Sequence, residues 1–329
     1  MRILVTGGAG LIGAHLVSKI IAAGHEAIAF DSFQFSHFAP MNSFEAEALA
    51  YRFDVLLAGA TTLRGSTTSK RELAGVLSDH SPDCVIHLAA TPLVTMATSH
   101  PEEAKLSIFD GTINLLELLR QKTSVKRFVY ISSSMVYGDF TQDPMPETGP
   151  TRPVNIYGAL KLAGEVATAS YLRNSPIEPV VVRPSAVYGP TDVNRRVVQL
   201  FCENALLNRP LRVKSSRDTV MDFSFVQDVA DGLLLAATQP GAAGRTFNIT
   251  RGEGRSLDEL AEAVQAYAGR RVQIEREPSF DTDRPRRGSL DISQAREFLG
   301  YSPKFGLEQG VANYLRHLRS QPDSVPQVA

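Results

Sequence analysis

Residues 2–31 constrain the fold more strongly than any other part of the sequence. A short apolar run is followed by a glycine-rich segment, a stretch of helical periodicity that ends near Gly24, a second apolar run and the acid Asp31. This order of strand, glycine loop, helix, strand and acid is typical of a dinucleotide-binding βαβ unit. Glycines allow the tight turn and let a pyrophosphate approach the free amides at the start of the helix. The contacts predicted from this loop are Gly7, Gly10, Leu11, Ile12 and Gly13.

The acid that ends the second predicted strand indicates which dinucleotide binds. Asp31 is placed to accept hydrogen bonds from the hydroxyls of an adenosine ribose, and its negative charge would repel a 2′-phosphate. A glycine pattern alone is weak evidence, but here a strand, a helix and an acid accompany it. The sequence therefore predicts NAD, rather than NADP, as the cofactor.

The region after Asp31 carries weaker signals. Residues 32–50 show no clear periodicity, and the run 51–55 is predicted to be a third strand. Asp54 and Val55 would then lie at the end of that strand, close to the adenine. Asp54 is nearly as well suited to be the N-cap of the following helix. Residues 59–70 are polar and are predicted to form a surface loop.

Apolar runs and helical segments then alternate regularly. Residues 83–90 predict a buried strand, within which His87 is expected to be a hydrogen-bonded core histidine rather than a catalyst. A later strand, 179–184, ends at the edge of the sheet where ligands bind. This alternation predicts an α/β fold with a Rossmann-type, doubly wound parallel sheet. The residues at these two strand ends that we expect to contact the cofactor are Leu88, Ala89, Ala90 and Pro184.

The alternation weakens after the strand 179–184, and this predicts a second lobe. We expect residues 1–183, rejoined by about 222–250, to form the NAD-binding domain. Residues 184–221 and 251–319 would form a smaller mixed lobe that binds the substrate. Residues 320–329 are predicted to be a flexible tail.

The composition excludes several classes of partner. With 329 residues, 43% hydrophobic content and a formal net charge of -1, the chain lacks the basic field that nucleic acid or an anionic membrane would require. Its two cysteines lie far apart, which predicts free thiols in a reducing cytosol and no metal site. No signal peptide and no membrane-spanning apolar run is recognisable, so we expect a cytoplasmic protein.

The residues that follow the central predicted strand suggest catalysis. The apolar strand 128–131 ends in a run of serines, and Tyr157 and Lys161 lie four residues apart on a predicted helix, on the same face. A phenol titrates near 10 in water, and a neighbouring ammonium would favour the phenolate and lower its pKa. A serine could then hold a substrate hydroxyl against this base. The alternative is an ordinary amphipathic helix face, which the predicted nicotinamide site makes less attractive.

Taken together, these motifs resemble the extended short-chain dehydrogenase/reductase family, in particular its NAD-dependent epimerase/dehydratase group, which acts on nucleotide sugars. The resemblance covers nearly the whole chain. The motifs that carry it are Gly7-x-x-Gly10-x-x-Gly13, His87-Leu88-Ala89-Ala90, Ser133-x-x-Val136-Tyr137-Gly138, Tyr157-x-x-x-Lys161 and Tyr188-Gly189-Pro190.

The resemblance implies roles for individual residues. Ser133, five residues before the glycine of the Val-Tyr-Gly motif, would be the catalytic serine, with Tyr157 as the base. Lys161 would bind the nicotinamide ribose and lower the pKa of the tyrosine, while Asp31 and Asp54 would hold the adenosine half of the cofactor. The helix that carries Tyr157 forms a dimer interface in relatives and here has additional apolar residues, so we expect a homodimer. Those apolar residues are Leu162, Val166 and Leu172.

The subfamily is narrowed by what is missing. In the dehydratases of this family the end of the central strand carries a Thr-Asp-Glu motif, and in the decarboxylases it carries a glutamate. Neither acid is present in Ser133-Ser134-Met135. The sequence is therefore most similar to the 4-epimerases, with a UDP-hexose or UDP-hexuronic acid as the substrate. Ala186 and Met221 replace a common asparagine and a common arginine, which leaves other loop arginines to hold the diphosphate. The expected substrate contacts are Ser133, Ser134, Met135, Ala186, Arg196, Arg217 and Arg287.

Two other functions remain open at this point. A one-way dehydrogenase or ketoreductase of a sugar or nucleotide sugar would use the same serine, tyrosine and lysine with exchangeable NAD. A catalytically silent dinucleotide sensor would use the same fold, but it has no need of a proton-transfer set. Most loop arginines are ordinary solvated residues in either case.

Overall fold

The computed structural model describes residues 1–34, 41–121, 123–215, 220–278 and 285–321. Its strands are β1 Arg2–Thr6, β2 Glu26–Asp31, β3 Thr61–Arg64, β4 Cys84–His87, β5 Arg127–Ile131, β6 Glu178–Arg183, β7 Val187–Tyr188, β8 Leu211–Ser215, β9 Val220–Asp222, β10 Ser224–Phe225, β11 Thr246–Asn248, β12 Gly254–Ser256 and β13 Ile274–Pro278. Its α-helices are α1 Leu11–Ala22, α2 Ser43–Tyr51, α3 Lys70–His80, α4 Val94–Ser99, α5 Pro101–Ala104, α6 Gly111–Leu119, α7 Ile156–Leu172, α8 Val197–Leu206, α9 Val226–Thr238, α10 Leu257–Tyr267, α11 Ser293–Leu299 and α12 Leu307–Ser320.

The large sheet has the strand order β3-β2-β1-β4-β5-β6-β11, and every neighbouring pair is parallel. Its central strands are apolar because helices cover both faces. Ile3 and Val5 of β1 pack on the side of α1 and α9, whereas Leu4 packs on the side of α3 and α6. The predicted fold class, a Rossmann-type parallel sheet with smaller mixed sheets after it, is confirmed.

The chain returns to the large sheet late in the sequence. β11 pairs with β6 and adds the seventh strand, after the segment that contains α8, β7, β8 and β9. A separate apolar cluster joins α8, α10 and α12. The smaller strand pairs are β7 with β10, β8 with β13 and, antiparallel, β9 with β12. The proposed domain boundaries stay a prediction.

The predicted third strand at 51–55 is wrong. A capping box between Asn42 and Glu45 begins α2, which continues as a π-helical turn through Leu56. Asp54 and Val55 are exposed on this turn rather than at the end of a strand. The alternating pattern of 51–55 resembles a strand, but helical packing of Phe44, Ala48 and the buried Arg52 prevails.

The actual third strand lies where the sequence predicted a polar loop. β3 is an edge strand whose residues are mostly exposed, so it needs no apolar run. A polar edge strand shows little hydrophobic patterning in the sequence. The alternating run 51–55, which precedes β3, therefore matched a strand pattern better than β3 itself. Neither Asp54 nor Val55 therefore lies at the end of a strand, and their contact with the adenine stays a prediction.

The predictions for His87 and for the two cysteines are confirmed. His87 is buried, and its ring nitrogens contact the hydroxyls of Thr6 (2.7 Å) and Thr112 (3.0 Å). Burial lowers its pKa to about 3, as expected for a neutral core histidine. Both cysteines are buried free thiols. Within the described ranges, no helix is long and apolar enough to cross a bilayer, and no cluster of side chains could hold a metal ion.

Candidate active site

The glycine loop has the geometry that a dinucleotide requires. Gly7 has a φ of +72°, and a Cβ built on it would lie 2.8 Å from the amide nitrogen of Ala89. A Cβ on Gly13 would lie 2.1 Å from the carbonyl oxygen of Gly7. The loop is therefore pressed against the backbone that follows β4, which brings Leu88–Ala90 to the same edge. Side chains at these two positions would destroy the turn.

The start of α1 is available to a phosphate. Gly10 is its N-cap, and no side chain in the described part of the chain caps this helix. A Cβ on Gly10 would meet only the Gly7 carbonyl oxygen, at 3.2 Å, so the approach from outside the loop is open. The first amides of α1, at Leu11 and Ile12, can thus donate to a diphosphate. These residues fit a pyrophosphate-bridged dinucleotide.

Asp31 lies beside this loop at the end of β2. Its carboxylate accepts hydrogen bonds from the amides of Ala9 (3.0 Å) and Phe33 (2.9 Å). The side chain is only partly buried, so its remaining acceptor capacity faces the edge of the sheet. This position suits the ribose hydroxyls of NAD and opposes the added phosphate of NADP.

We expect NAD to bind at least about tenfold more tightly than NADP, a difference of about 1.4 kcal/mol. In Asp31→Ser the difference should shrink because the charge that repels the phosphate is gone. Asp31→Asn should narrow the difference as well, since it removes the same charge but keeps one of the two oxygens that accept from the Ala9 and Phe33 amides. Titration calorimetry with both dinucleotides measures the ratio, and equal affinities for the unaltered protein would contradict the assignment.

A buried arginine that the sequence analysis missed supports the glycine loop. Arg52 donates to the carbonyl oxygen of Ala9 (3.0 Å) and to that of Thr191. It is almost fully buried, and burial lowers its pKa to about 10. Its guanidinium thus ties the cofactor loop to the segment after β7. The only signal in the sequence was a charged residue within an apolar pattern.

The catalytic candidates meet at the carboxyl end of β5. Asn155 caps α7 by accepting a hydrogen bond from Gly158 (2.9 Å). A Cβ on Gly158 would lie 2.6 Å from the Met135 carbonyl oxygen, so the helix packs directly on the turn after β5. This close approach brings the phenol of Tyr157 near Ser133, whose hydroxyl acts to lower the pKa of the phenol.

The three consecutive serines after β5 have different partners. Ser132 donates to Glu165 (2.5 Å) within the core, and Ser134 accepts from Arg287 (2.9 Å). Ser133 accepts from the amide of Met135 (3.2 Å) and contacts Tyr157. The structure therefore brings Ser133, rather than either neighbour, to the tyrosine that the family resemblance designates as the base.

Lys161 lies one helical turn beyond Tyr157. Its ammonium donates to the carbonyl oxygen of Ile131 (2.8 Å) and lies 6.0 Å from the centre of the Tyr157 ring. Burial lowers the pKa of Lys161 to about 8, while the negative charge of Glu165 opposes this shift. The predicted shared face of the two side chains is confirmed.

The expected lowering of the Tyr157 pKa is outweighed by burial. Burial raises the pKa of the Tyr157 phenol, because the ring packs beside Ala97, Ala104 and Ile108. The charge of Arg196 and the hydrogen bond from Ser133 act in the opposite direction but do not overcome burial. The sequence argument considered the neighbouring cation and left out the desolvation of the phenol.

A buried ion pair holds this region together and was also missed. Arg183 at the end of β6 forms a bidentate contact with Glu165, from Nε (2.9 Å) and Nη2 (2.6 Å). It also donates to the hydroxyl of Tyr137 (3.0 Å). Glu165 follows Lys161 by four residues on α7, so the helical spacing of Tyr157, Lys161 and Glu165 was the available signal. The network fixes β5, β6 and α7 relative to one another.

The predicted substrate residues are distributed around the same edge. Ala186 has a φ of +34°, an uncommon conformation for a residue with a side chain, and follows Pro184, whose carbonyl oxygen accepts from Ser134 (2.9 Å). Arg196 pairs with Asp192 (3.2 Å). Met135 is buried in the turn after β5. Arg217 lies outside the described residues.

Fold and site together define a dinucleotide-binding enzyme of the short-chain dehydrogenase/reductase type. Residues 3–250 match the model of the NAD dependent epimerase/dehydratase family. The chain is 30% identical to a UDP-glucose 4-epimerase of Mycolicibacterium smegmatis, over 98% of this chain and 99% of that one. The protein belongs to the NAD-dependent epimerase/dehydratase family, and NAD is its cofactor.

Solved structures agree with this assignment. The UDP-glucose 4-epimerase of Thermotoga maritima, solved with UDP-glucose, has a TM-score of 0.85 at 28% identity, covering 97% of this chain and 99% of that chain. The UDP-glucuronic acid 4-epimerase of Bacillus cereus, solved with UDP-glucuronic acid and NAD, has a TM-score of 0.85 at 26% identity with the same coverage. Relatives at 30% identity also include a UDP-glucuronic acid decarboxylase and a dTDP-glucose 4,6-dehydratase, so overall similarity does not fix the reaction.

Proposed function

We propose that this protein is a nucleotide-sugar 4-epimerase that acts on a UDP-hexose or UDP-hexuronic acid. The observation that carries the proposal is the contact between Ser133 and Tyr157, beside a turn whose next residues are Ser134 and Met135. A serine–tyrosine pair can move a proton to and from a sugar hydroxyl. An uncharged Ser134 and an apolar Met135 do not supply the acid that expulsion of water would require.

Ser133, Tyr157 and Lys161 have different roles at the sugar. Ser133 holds the C4 hydroxyl by a hydrogen bond, and Tyr157 removes its proton as C4 is oxidised. Lys161 stabilises, by its charge, the phenolate form of Tyr157 that accepts this proton. NAD supplies the hydride acceptor and donor. The 4-keto sugar must then present its other face, after which Tyr157 returns the proton to the new C4 hydroxyl.

Two carboxylates near the catalytic turn already have hydrogen-bond partners within the protein. Glu165 is held by Arg183 and Ser132, and Glu147 accepts from the amide of Asn248 (2.8 Å). Their positions in the core support a site that transfers a proton and a hydride and nothing more. This argument favours the epimerase over dehydratase-like chemistry.

We also propose a homodimer through α7. Val166 is 63% exposed on this helix, and Ile156 at its start is also exposed. Of the other apolar residues named for this interface, Leu162 is partly buried and Leu172 packs in the core beneath the sheet. The interface would therefore centre on Val166 rather than on Leu172.

The proposal is tested by following the sugar and the cofactor together. Purified protein with a catalytic amount of NAD should interconvert the C4 epimers of UDP-glucose or UDP-glucuronic acid and reach the same ratio from either side. No NADH should accumulate with product, because each turnover restores the cofactor. Accumulation of NADH in proportion to product would instead establish the one-way dehydrogenase, and absence of any turnover would favour a sensor.

A further inference from the structure

A partly buried arginine at the edge of the site lacks a charged partner. The terminal nitrogen Nη2 of Arg287 donates to the hydroxyls of Ser134 (2.9 Å) and Ser185 (2.6 Å). Its Nε is buried and has no hydrogen-bond partner, and among the described residues no carboxylate forms an ion pair with it. Burying an unpaired cation is costly, so this arrangement indicates an anionic ligand.

The carboxylate whose charge acts on Arg287 already accepts hydrogen bonds from other groups. Asp222 affects Arg287 electrostatically, but its oxygens accept from the amides of Leu290 (3.1 Å), Gly252 (3.0 Å) and Arg251 (3.1 Å). Burial accordingly lowers the pKa of the Arg287 guanidinium despite the charge of Asp222. A carboxylate supplied by a ligand would compensate the guanidinium directly.

The hydroxyls of Ser134 and Ser185 add two hydrogen-bond donors beside the guanidinium of Arg287. A guanidinium can only donate, so the oxygens of Ser134 and Ser185 must act as acceptors towards Arg287. Each hydroxyl proton then remains available, and in the described part of the chain neither hydroxyl has another hydrogen-bond partner. Both serines are buried. Two hydroxyl protons and the free Nε–H therefore surround one small region, as recognition of a carboxylate requires.

The position of this set relative to Ser133 indicates which substrate group it contacts. Ser134 follows Ser133 directly, with the Cα atoms about 3.8 Å apart. If the sugar C4 lies between Ser133 and Tyr157, C6 is close by, because C5 carries it and is the ring neighbour of C4. The diphosphate is attached at C1, on the far side of the ring. An anion beside Ser134 therefore belongs to C6.

We propose that Arg287, Ser134 and Ser185 form a subsite for a carboxylate at C6, so that the substrate is a UDP-hexuronic acid. This inference rests on the proposed epimerase function for the placement of the sugar. It assigns to Arg287 the recognition of the sugar carboxylate, in place of the diphosphate contact expected from the sequence. Neutral UDP-hexoses leave the guanidinium uncompensated and bind more weakly.

The test compares binding of UDP-glucuronic acid, UDP-glucose and UDP to the NAD-loaded protein by calorimetry. The unaltered protein should prefer UDP-glucuronic acid over UDP-glucose by about tenfold or more, as expected for a charge-assisted contact. Arg287→Gln should abolish that preference and leave the affinities for UDP-glucose and UDP within about twofold. Arg286→Gln is the matched control, because this exposed neighbour contributes its backbone amide, rather than its side chain, to Asp139.

Two outcomes would overturn the proposal. Equal weakening of all three ligands by Arg287→Gln would place the arginine at the diphosphate, and an unaltered protein without preference would remove the carboxylate subsite. If Arg287→Gln fails to fold, Ser185→Ala provides the same comparison, with a smaller loss confined to UDP-glucuronic acid. Because calorimetry compares affinities and does not depend on turnover, a protein that shows the preference but does not epimerise would contradict the proposed function alone.

Discussion

Tyr157→Phe should reduce turnover by about a thousandfold, because it removes the group proposed to exchange a proton with the C4 hydroxyl and such groups contribute roughly 10²–10⁴-fold. The fold and the affinity for NAD should be unchanged, since the ring still packs beside Ala97, Ala104 and Ile108. Steady-state kinetics, calorimetry with NAD and thermal unfolding measure the three quantities separately.

Tyr171→Phe is the matched control for this experiment. Tyr171 lies on the same helix, and its ring contacts the guanidinium of Arg120, far from the serines after β5. Its loss of a hydroxyl should leave turnover within about twofold. If Tyr157→Phe retained the rate of the control, the proton-transfer role of Tyr157 would have to be abandoned.

Lys161→Met should have the next largest effect. Its ammonium lies 6.0 Å from the centre of the Tyr157 ring, and a positive charge beside a phenol favours the phenolate. Without that charge, the pKa of the Tyr157 phenol, already raised by burial, should rise further. Turnover at neutral pH should fall about a hundredfold, and the rising limb of the pH–rate profile should move to higher pH.

NAD affinity should fall as well, since the family resemblance places the nicotinamide ribose beside Lys161. Lys70→Met is the control, because Lys70 pairs with Glu117 at the surface, 2.5 Å away, and lies on α3. An upward shift of the pH profile separates the electrostatic role from a merely structural one. A Lys161→Met protein with an unshifted profile would show that the ammonium does not stabilise the phenolate.

The sequence predicted those parts of the molecule whose causes are local. The strand, glycine loop, helix and acid of residues 2–31 are consecutive, and each signal depends on residues close in the chain. The capping box between Ser256 and Glu259 was predicted for the same reason and is present. Tyr157 and Lys161 were placed on one face because helical spacing alone determines this.

The parts that were missed depend on contacts between distant residues. Arg287 reaches Ser134 across 153 positions, and nothing in the local pattern of either residue indicates that contact. Burial of Arg52 by the segment after β7 likewise decided that 51–55 is helical. The direction of the Tyr157 pKa depended on how completely the phenol is buried, which no spacing rule reports.

The order of the three serines illustrates the limit most clearly. As sequence, Ser132, Ser133 and Ser134 are equivalent, and only the family resemblance selected Ser133. In the structure, Glu165 holds the first and Arg287 the third. The middle serine is thereby left to Tyr157, which provides a physical reason for the selection.

The central claim is that the hydrogen removed from C4 returns to C4 of the same sugar. It is tested most directly by mixing unlabelled UDP-glucuronic acid with a sample that carries both deuterium at C4 and heavy carbon in the ring, and then measuring the masses of the epimer formed. The account predicts that deuterium is retained at C4 and is found only in molecules that contain the heavy carbon. Loss of deuterium to water, or its appearance in molecules without heavy carbon, would contradict it.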